Sequence, residues 1–358
     1  MNTRARHATD VVQDLSPGAM AGTGHAAAVA GDCMQFDISV VVPTYKRPAM
    51  LEVCLRALAV QDYNARRYEV IICDDGPDDA TRAAVESFAQ RVSASGLTVR
   101  YVPVSATQGP AAARNAGWRA ARSPLIAFTD DDTIPDPHWL TSGVAALATG
   151  ADAACGRIDM PLPAAPSDYE LNASGLTRAD FATANAFVRR ASLIDMGGFD
   201  ERFTSAWRED SDLQFALLRT GGRIVRAAHA VVVHPVRPAR WGVSLSQQKK
   251  SLFEALLFAK HPMLYRQRIA AGPPWRYYAI VVSLLFACGA ALARHGTGAA
   301  LALLIWSGLT AWLCVDRLRH TRRDPAHIAE MTWTSMLIPF LSIYWRLRGA
   351  IRYKVFFL

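Results

Sequence analysis

SPLIAFTDDDTIPDPHWL, residues 123–140, holds the transition on which the fold depends. A short apolar segment, 125–128, runs into Asp130, Asp131 and Asp132 and then into a proline-punctuated turn. An apolar run bounded by turn signals reads as a buried strand. Carboxylates at its C-terminal end fall where open α/β sheets bind ligands. Three adjacent like charges repel, and burying even one unpaired carboxylate is costly. A hard divalent cation held between them, Mg²⁺ or Mn²⁺, relieves both problems. The alternative for the three aspartates alone is a solvated acidic turn or a helix cap.

Upstream, residues 37–43 (DISVVVP) form a near-continuous β-branched run, as in a parallel strand buried on both faces. It ends in a turn, Pro43-Thr44-Tyr45-Lys46-Arg47-Pro48, and Met50, Leu51, Cys54, Leu55 and Leu58 follow at helical spacing. Residues 68–73 (YEVIIC) predict a second strand ending in Asp74-Asp75-Gly76-Pro77. A helix over 79–91, a strand over 97–104 and a helix opened by Gln108-Gly109-Pro110, with Arg114 and Asn115 in its early turns, come next. This alternation implies right-handed βαβ crossovers and a parallel sheet whose strand ends converge on one crevice. No GxGxxG follows the first strand, which argues against a dinucleotide cofactor. A carboxylate such as Asp75 suits a base N–H or ribose hydroxyls. The alternatives are a capping aspartate for Asp74-Asp75-Gly76 and a solvated helix face for Arg114.

Downstream, 151–160 predicts a bent strand, and 161–180, without periodicity, a mobile loop over the crevice. Gly197-Gly198-Phe199-Asp200-Glu201 precedes Trp207-Arg208-Glu209-Asp210, which opens a helix that stops at Gly221-Gly222. Its clustered acids either complement the helix dipole or do chemistry. A strand over 223–233 ends at His234-Pro235, where the histidine is either structural or a ligand.

The chain has 358 residues, 51% hydrophobic and 20% charged, with a net charge of +8. Eight Lys/Arg face one acid, Glu254, over 237–276, and a second basic run covers 317–323. These blocks flank apolar segments, so they point to a membrane surface. They lack aromatics interleaved on a sheet face, which argues against nucleic acid. The six cysteines show no CxxC spacing, so reduced thiols are expected and no zinc site. Residues 1–35 read as a disordered tail without a signal peptide, since Asp10 and Asp14 spoil the basic flank. Residues 241–260 predict a basic amphipathic helix with Leu245, Leu252, Leu256 and Leu257 on one face, either at an anionic interface or packed on the protein. Residues 277–293 and 297–315 are uncharged and apolar enough for a transmembrane hairpin, and the flanking basic residues place both ends in the cytoplasm. Residues 331–345, interrupted by Pro339, read as interfacial or re-entrant. The expected layout is a tail (1–35), a catalytic domain (36–240), a basic interfacial region (241–275), a hairpin (276–316) and a C-terminal segment (317–358).

Taken in order, PTYKRP, IICDDG, QGPAAARNAG, FTDDDTIPDPHWL and GGFDE resemble glycosyltransferase family 2, of the membrane-anchored bacterial type. The resemblance implies the GT-A fold, a Rossmann-like, mostly parallel α/β sheet with helices on both faces, here followed by C-terminal membrane helices. It implies a nucleotide-diphosphosugar donor and a metal-binding DxD motif. Pro43, Thr44, Tyr45, Arg47, Asp75, Gly109, Arg114, Asp130 and Asp131 would then line the donor nucleotide pocket, with Asp74 a second candidate for contacting the base. Asp130 and Asp132 would be the outer residues of DxD, Asp132 the direct ligand of Mn²⁺ or Mg²⁺, and His234 would complete the metal shell. Asp210 would be the general base of an inverting displacement, with Glu209 positioning acceptor or base. Arg208 departs from the commoner G-E-D form, which bears on the acceptor contacts. The expected enzyme sits at the cytoplasmic membrane and acts on a lipid-linked or glycan acceptor. The rivals are a polyprenyl-phosphate sugar synthase and a catalytically inert nucleotide-binding scaffold.

Overall fold

The structure is a computed structural model describing residues 36–358, so the expected disordered tail lies outside the described residues. The first half comprises β1 Ile38–Thr44, α1 Pro48–Ala59, β2 Tyr68–Asp74, α2 Asp79–Val92, β3 Thr98–Pro103, α3 Pro110–Ala120 and β4 Leu125–Thr129. Then come β5 Ile134–Pro135, α4 Trp139–Ala148, β6 Ala153–Asp159, α5 Asp168–Ala173, β7 Asn185–Arg189, α6 Arg190–Met196, α7 Glu209–Arg219 and β8 Ile224–Val233. The C-terminal helices are α8 Val243–Gln247, α9 Ser251–Lys260, α10 Pro262–Arg268, α11 Trp275–Leu292, α12 Gly296–Leu318 and α13 Pro325–Arg352.

One sheet runs in the order β3-β2-β1-β4-β7-β6-β8-β5. β1 pairs in parallel with both β2 and β4, so the crevice opens where the strand order reverses, beyond their C-terminal ends. β7 is antiparallel to β4 and β6, which makes the sheet mixed rather than wholly parallel. The continuous apolar runs have a simple cause. In β1, Val40 and Val42 face the layer of α1 and α2, while Val41 faces α3; in β2, Val70 and Ile72 oppose Ile71 and Cys73 in the same way. Alternate residues of one strand thus enter two cores, so both faces are mostly apolar, and the buried polar exceptions are paired: Ser39 donates to Glu69 at 2.8 Å, and Arg100 reaches Glu69 at 2.9 Å. Each buried branched side chain contributes about 1.5–3 kcal/mol.

Helix α3 lies close on the sheet because Gly117 leaves the space: a Cβ there would sit 2.3 Å from Val41 Cγ1 and 2.7 Å from Cys73 Sγ. That approach sinks Arg114, one turn earlier on α3, to 3% exposure beneath the crevice.

Three expectations change. The segment expected as a mobile loop contains α5, fastened by a capping box in which Ser167 and Glu170 bond reciprocally. The single helix expected over 241–260 is broken into α8, a 3₁₀ turn and α9. Leu252, Leu256 and Leu257 of α9 are buried with Phe203, Phe215 and Phe357, so that apolar face is used in the protein interior rather than at an interface. The 331–345 stretch belongs to one helix of 28 residues, α13, which carries Pro339 inside it without breaking. α13 packs against α9, α11 and α12. Those contacts hold the helix across the lost hydrogen bond, whose cost in an isolated helix is about 3 kcal/mol.

α11 and α12 are long and apolar enough to cross a membrane, with mean hydropathies of 1.5 and 1.8. They pack as a hairpin and leave Leu285, Phe286, Leu292, Leu301 and Leu304 exposed.

Candidate active site

Pro43, Thr44, Tyr45, Arg47, Asp75, Arg114, Asp130, Asp131, Asp132 and His234 line one cleft of about 240 Å³. They arrive from the C-terminal ends of four strands, β1, β2, β4 and β8, and from the buried turn of α3. Asp75 accepts a hydrogen bond from the Gly109 backbone at 2.6 Å, which ties the β2 loop to the start of α3. Gly109 has φ +121°, and a Cβ there would press on the Thr204 backbone at 3.0 Å. Burial raises the Asp75 carboxyl above its ordinary range.

Asp74 is corrected: it does not reach the cleft. It is fully buried, and its carboxylate accepts from Tyr101 Oη at 2.8 Å and from the Gly76 and Asp78 backbones at 3.3 Å. It shapes the loop that presents Asp75.

The three central aspartates meet three arginines. Arg114 Nη2 reaches Asp130 at 2.8 Å, Arg47 Nη2 reaches Asp131 at 2.9 Å, and Arg237 Nε reaches Asp132 at 3.0 Å. Protein cations therefore relieve the mutual repulsion that the sequence alone assigns to a metal. Arg237 escapes a reading of the sequence because it heads the basic block and looks like part of a membrane face. Asp131 points inward, accepting from Thr44 Oγ1 at 2.7 Å. Burial pushes it up to about 6, against the pull of Arg47.

Asp130, Asp132 and His234 each offer a donor atom, all within 4.8 Å of one another. His234 Nε2 lies 3.6 Å from Asp132 Oδ1, and His234 Nδ1 is buried without a hydrogen-bond partner. Two carboxylate oxygens and an unpartnered imidazole form a donor set that fits Mn²⁺ or Mg²⁺.

Arg114 also joins the two halves of the site: its Nη1 donates to Glu209 Oε1 at 3.1 Å. Glu209 is 3% exposed, its second oxygen unpartnered. The neighbouring Asp210 is less enclosed and accepts from Thr183 Oγ1 at 2.5 Å. Burial, reinforced by the Asp210 charge, pushes Glu209 up to about 8, and burial likewise raises Asp210. The bend that presents this pair has Arg208 at φ +75°. Glu254 of α9 holds it, accepting from Trp207 Nε1 at 2.7 Å, Arg208 Nε at 2.8 Å and Tyr265 Oη at 2.8 Å. Neither Thr183 nor Glu254 stands in a motif, so only the fold reveals them.

A pH prediction follows from Glu209. The unfolded chain releases this proton near 4.5 and the folded one near 8. The native state thus keeps its full advantage below about pH 4.5 and loses it as pH rises through 8. Thermal unfolding of full-length Glu209→Gln between pH 4 and 9 should show a shallower decline than the parent; identical slopes would refute the assignment.

A mixed α/β sheet with a carboxylate-lined crevice at its strand-order switch is the GT-A arrangement of glycosyltransferases, and in this chain two apolar helices follow it. The chain belongs to glycosyltransferase family 2: the family profile "Glycosyl transferase family 2" matches residues 39–193. Succinoglycan biosynthesis protein ExoM of Rhizobium meliloti is 31% identical over 212 residues, covering 56% of this chain and 67% of that protein. Glycosyltransferase AglE of Haloferax volcanii is 29% identical over 213 residues, covering 56% and 67%. Validoxylamine A glucosyltransferase of Streptomyces hygroscopicus is 30% identical over 251 residues, but the match spans only 56% of its length. In three dimensions the chain superposes on the mannosyltransferase PcManGT of Pyrobaculum calidifontis, solved with GDP-Man and Mn²⁺. The TM-score is 0.53 at 20% identity, covering 88% of both chains, a likeness of fold.

Proposed function

We propose that the chain transfers a sugar from a nucleotide-diphosphosugar to a hydroxyl of a lipid-linked or membrane-proximal acceptor, in one metal-dependent, inverting step. The observation that carries this reading is the convergence of Thr44, Asp75, Arg114, Asp130, Asp132 and His234 on one cleft. Arg114 then links that cleft to the Glu209–Asp210 pair. Asp75 and Thr44 hold the nucleoside end of the donor, and Arg114 fixes the floor beneath the diphosphate. Asp130, Asp132 and His234 would hold a divalent cation, which would supply charge neutralisation for the departing nucleoside diphosphate. Asp210 removes the acceptor proton from the opposite face of the sugar. Thr183 occupies one Asp210 oxygen and leaves the other for the acceptor. Residues 36–240 act as the catalytic domain, and 276–316 as a hairpin in the cytoplasmic membrane with the cleft on the cytoplasmic side.

Calorimetry on the full chain in neutral detergent, against UDP-, GDP- and dTDP-sugars with and without Mn²⁺, tests the reading. One nucleotide class should bind only with metal, and Asp132→Asn should abolish that dependence while remaining folded. A folded parent that binds no nucleotide under any metal condition would leave the cleft without a donor and end the proposal.

A further inference from the structure

Beside the cleft lies a second cavity of about 270 Å³, bounded by the loop that follows β8, the entry to α5 and the start of α13. Arg237 lines both cavities. Arg240, Arg322 and His327 line the second as well. The acids in its wall are already engaged. Asp168 pairs with Arg317 at 2.7 Å, Glu170 accepts from the Ser167 backbone at 2.7 Å, and Glu330 accepts from the Gly242 backbone at 2.6 Å. Two of the cationic groups are held less firmly. Arg240 has no ion pair among the described residues, and Arg322 has only the exposed Asp324 at 3.1 Å. His327 is 1% exposed, yet neither ring nitrogen has a hydrogen-bond partner; the nearest acid, Glu330, stands 3.5 Å from Nδ1.

A buried, unpartnered imidazole beside one unpaired guanidinium and a second paired only at the surface is a site built for an anion with several acceptor oxygens. Planar guanidinium forks match phosphate in particular. A third cavity, of about 850 Å³, shares Asp168 and Ser244 with the second and is lined by Trp275, Tyr277, Leu313 and Ile338 at the foot of the apolar hairpin. Cleft, cationic cavity and apolar recess therefore lie side by side, divided by Arg237 on one side and by Asp168 and Ser244 on the other.

We infer that the cationic cavity binds the phosphoryl head of a lipid-linked acceptor. Its chain leaves along the recess toward α11 and α12, and its sugar hydroxyl points past Arg237 into the cleft. The lipid-linked identity of this ligand rests on the transferase reading above; the phosphate site rests on the cavity alone.

The test is equilibrium binding of farnesyl phosphate, farnesol and inorganic phosphate to the full chain in neutral detergent, alongside the nucleotide titration. Farnesyl phosphate should bind saturably, with farnesol and inorganic phosphate each weaker by about tenfold or more. The double variant Arg240→Gln/Arg322→Gln changes only exposed side chains. It should weaken farnesyl phosphate by about tenfold and leave nucleotide binding at the parental value. Farnesol binding as well as its phosphate, or a double variant that binds like the parent, overturns the phosphate site. Inorganic phosphate binding as tightly as farnesyl phosphate overturns the lipid source. Loss of nucleotide binding alone, with farnesyl phosphate retained, defeats the transferase reading and supports the phosphate site.

Discussion

Replacing Asp210 by Asn should lower the turnover number by about 10²–10⁴-fold, the range of a lost general base, while nucleotide binding should stay at its parental value. The two carboxylates of the pair have separable positions. Glu209 is enclosed and held by Arg114, whereas Asp210 is fixed through one oxygen by Thr183. Asparagine keeps the shape and a bond to Thr183 but cannot take a proton. Glu209→Gln should cost less, since on this assignment Glu209 positions and does not accept the proton. Single-turnover assays with saturating donor separate chemistry from binding. A loss below about tenfold would move the base role away from Asp210. It would also favour a phosphate oxygen as nucleophile, which needs little base assistance, as in a polyprenyl-phosphate sugar synthase.

The second large effect falls on Arg114. Its side chain is 4% exposed and touches Asp130 and Glu209, whose side chains are 26% and 3% exposed. Arg114→Met fits the space but strands both acids, and removing one partner of a buried ion pair costs about 3–5 kcal/mol. The acids can recover part of that by taking up protons. Destabilisation should therefore be greater at pH 8 than at pH 5, and thermal unfolding at the two values reads it directly. Arg114→Lys keeps the charge but cannot reach two carboxylates with one fork, so it should fall between. A methionine variant as stable as the parent at pH 8 would show that the arginine is not the shared counterion.

Much of the cleft was legible because its signals are local. The apolar runs of β1, β2 and β4 announce strands buried on two faces, and each ends in the polar residues that the sheet brings to one edge. What stayed hidden depends on partners distant in the chain. Nothing near Arg237 marks it as the companion of Asp132, nor Glu254 as the support of Trp207 and Arg208. Asp74 and Asp75 are adjacent and alike, yet the pleat sends one into Tyr101 and the other into the cleft. The capping box of α5 was readable in Ser167-Asp168-Tyr169-Glu170, but a six-residue helix is too short to declare itself by periodicity. Pro339 reads as a break, and only the neighbours of α13 overrule it.

The end of α12 is stitched into the rest of the molecule. Arg317 bonds Asp168 of α5, Ser244 of α8, and Thr334 and Ser335 of α13. α13 in turn packs on α9, whose Glu254 holds the bend before Asp210. The Glu209–Asp210 pair is thus not hung from the hairpin on a slack leash. In the proposed membrane setting their altitude above the bilayer is set by packed helices, and the molecule works as a gauge. On that proposal it would favour acceptors whose reactive hydroxyl stands at one height over those that are too short or too long.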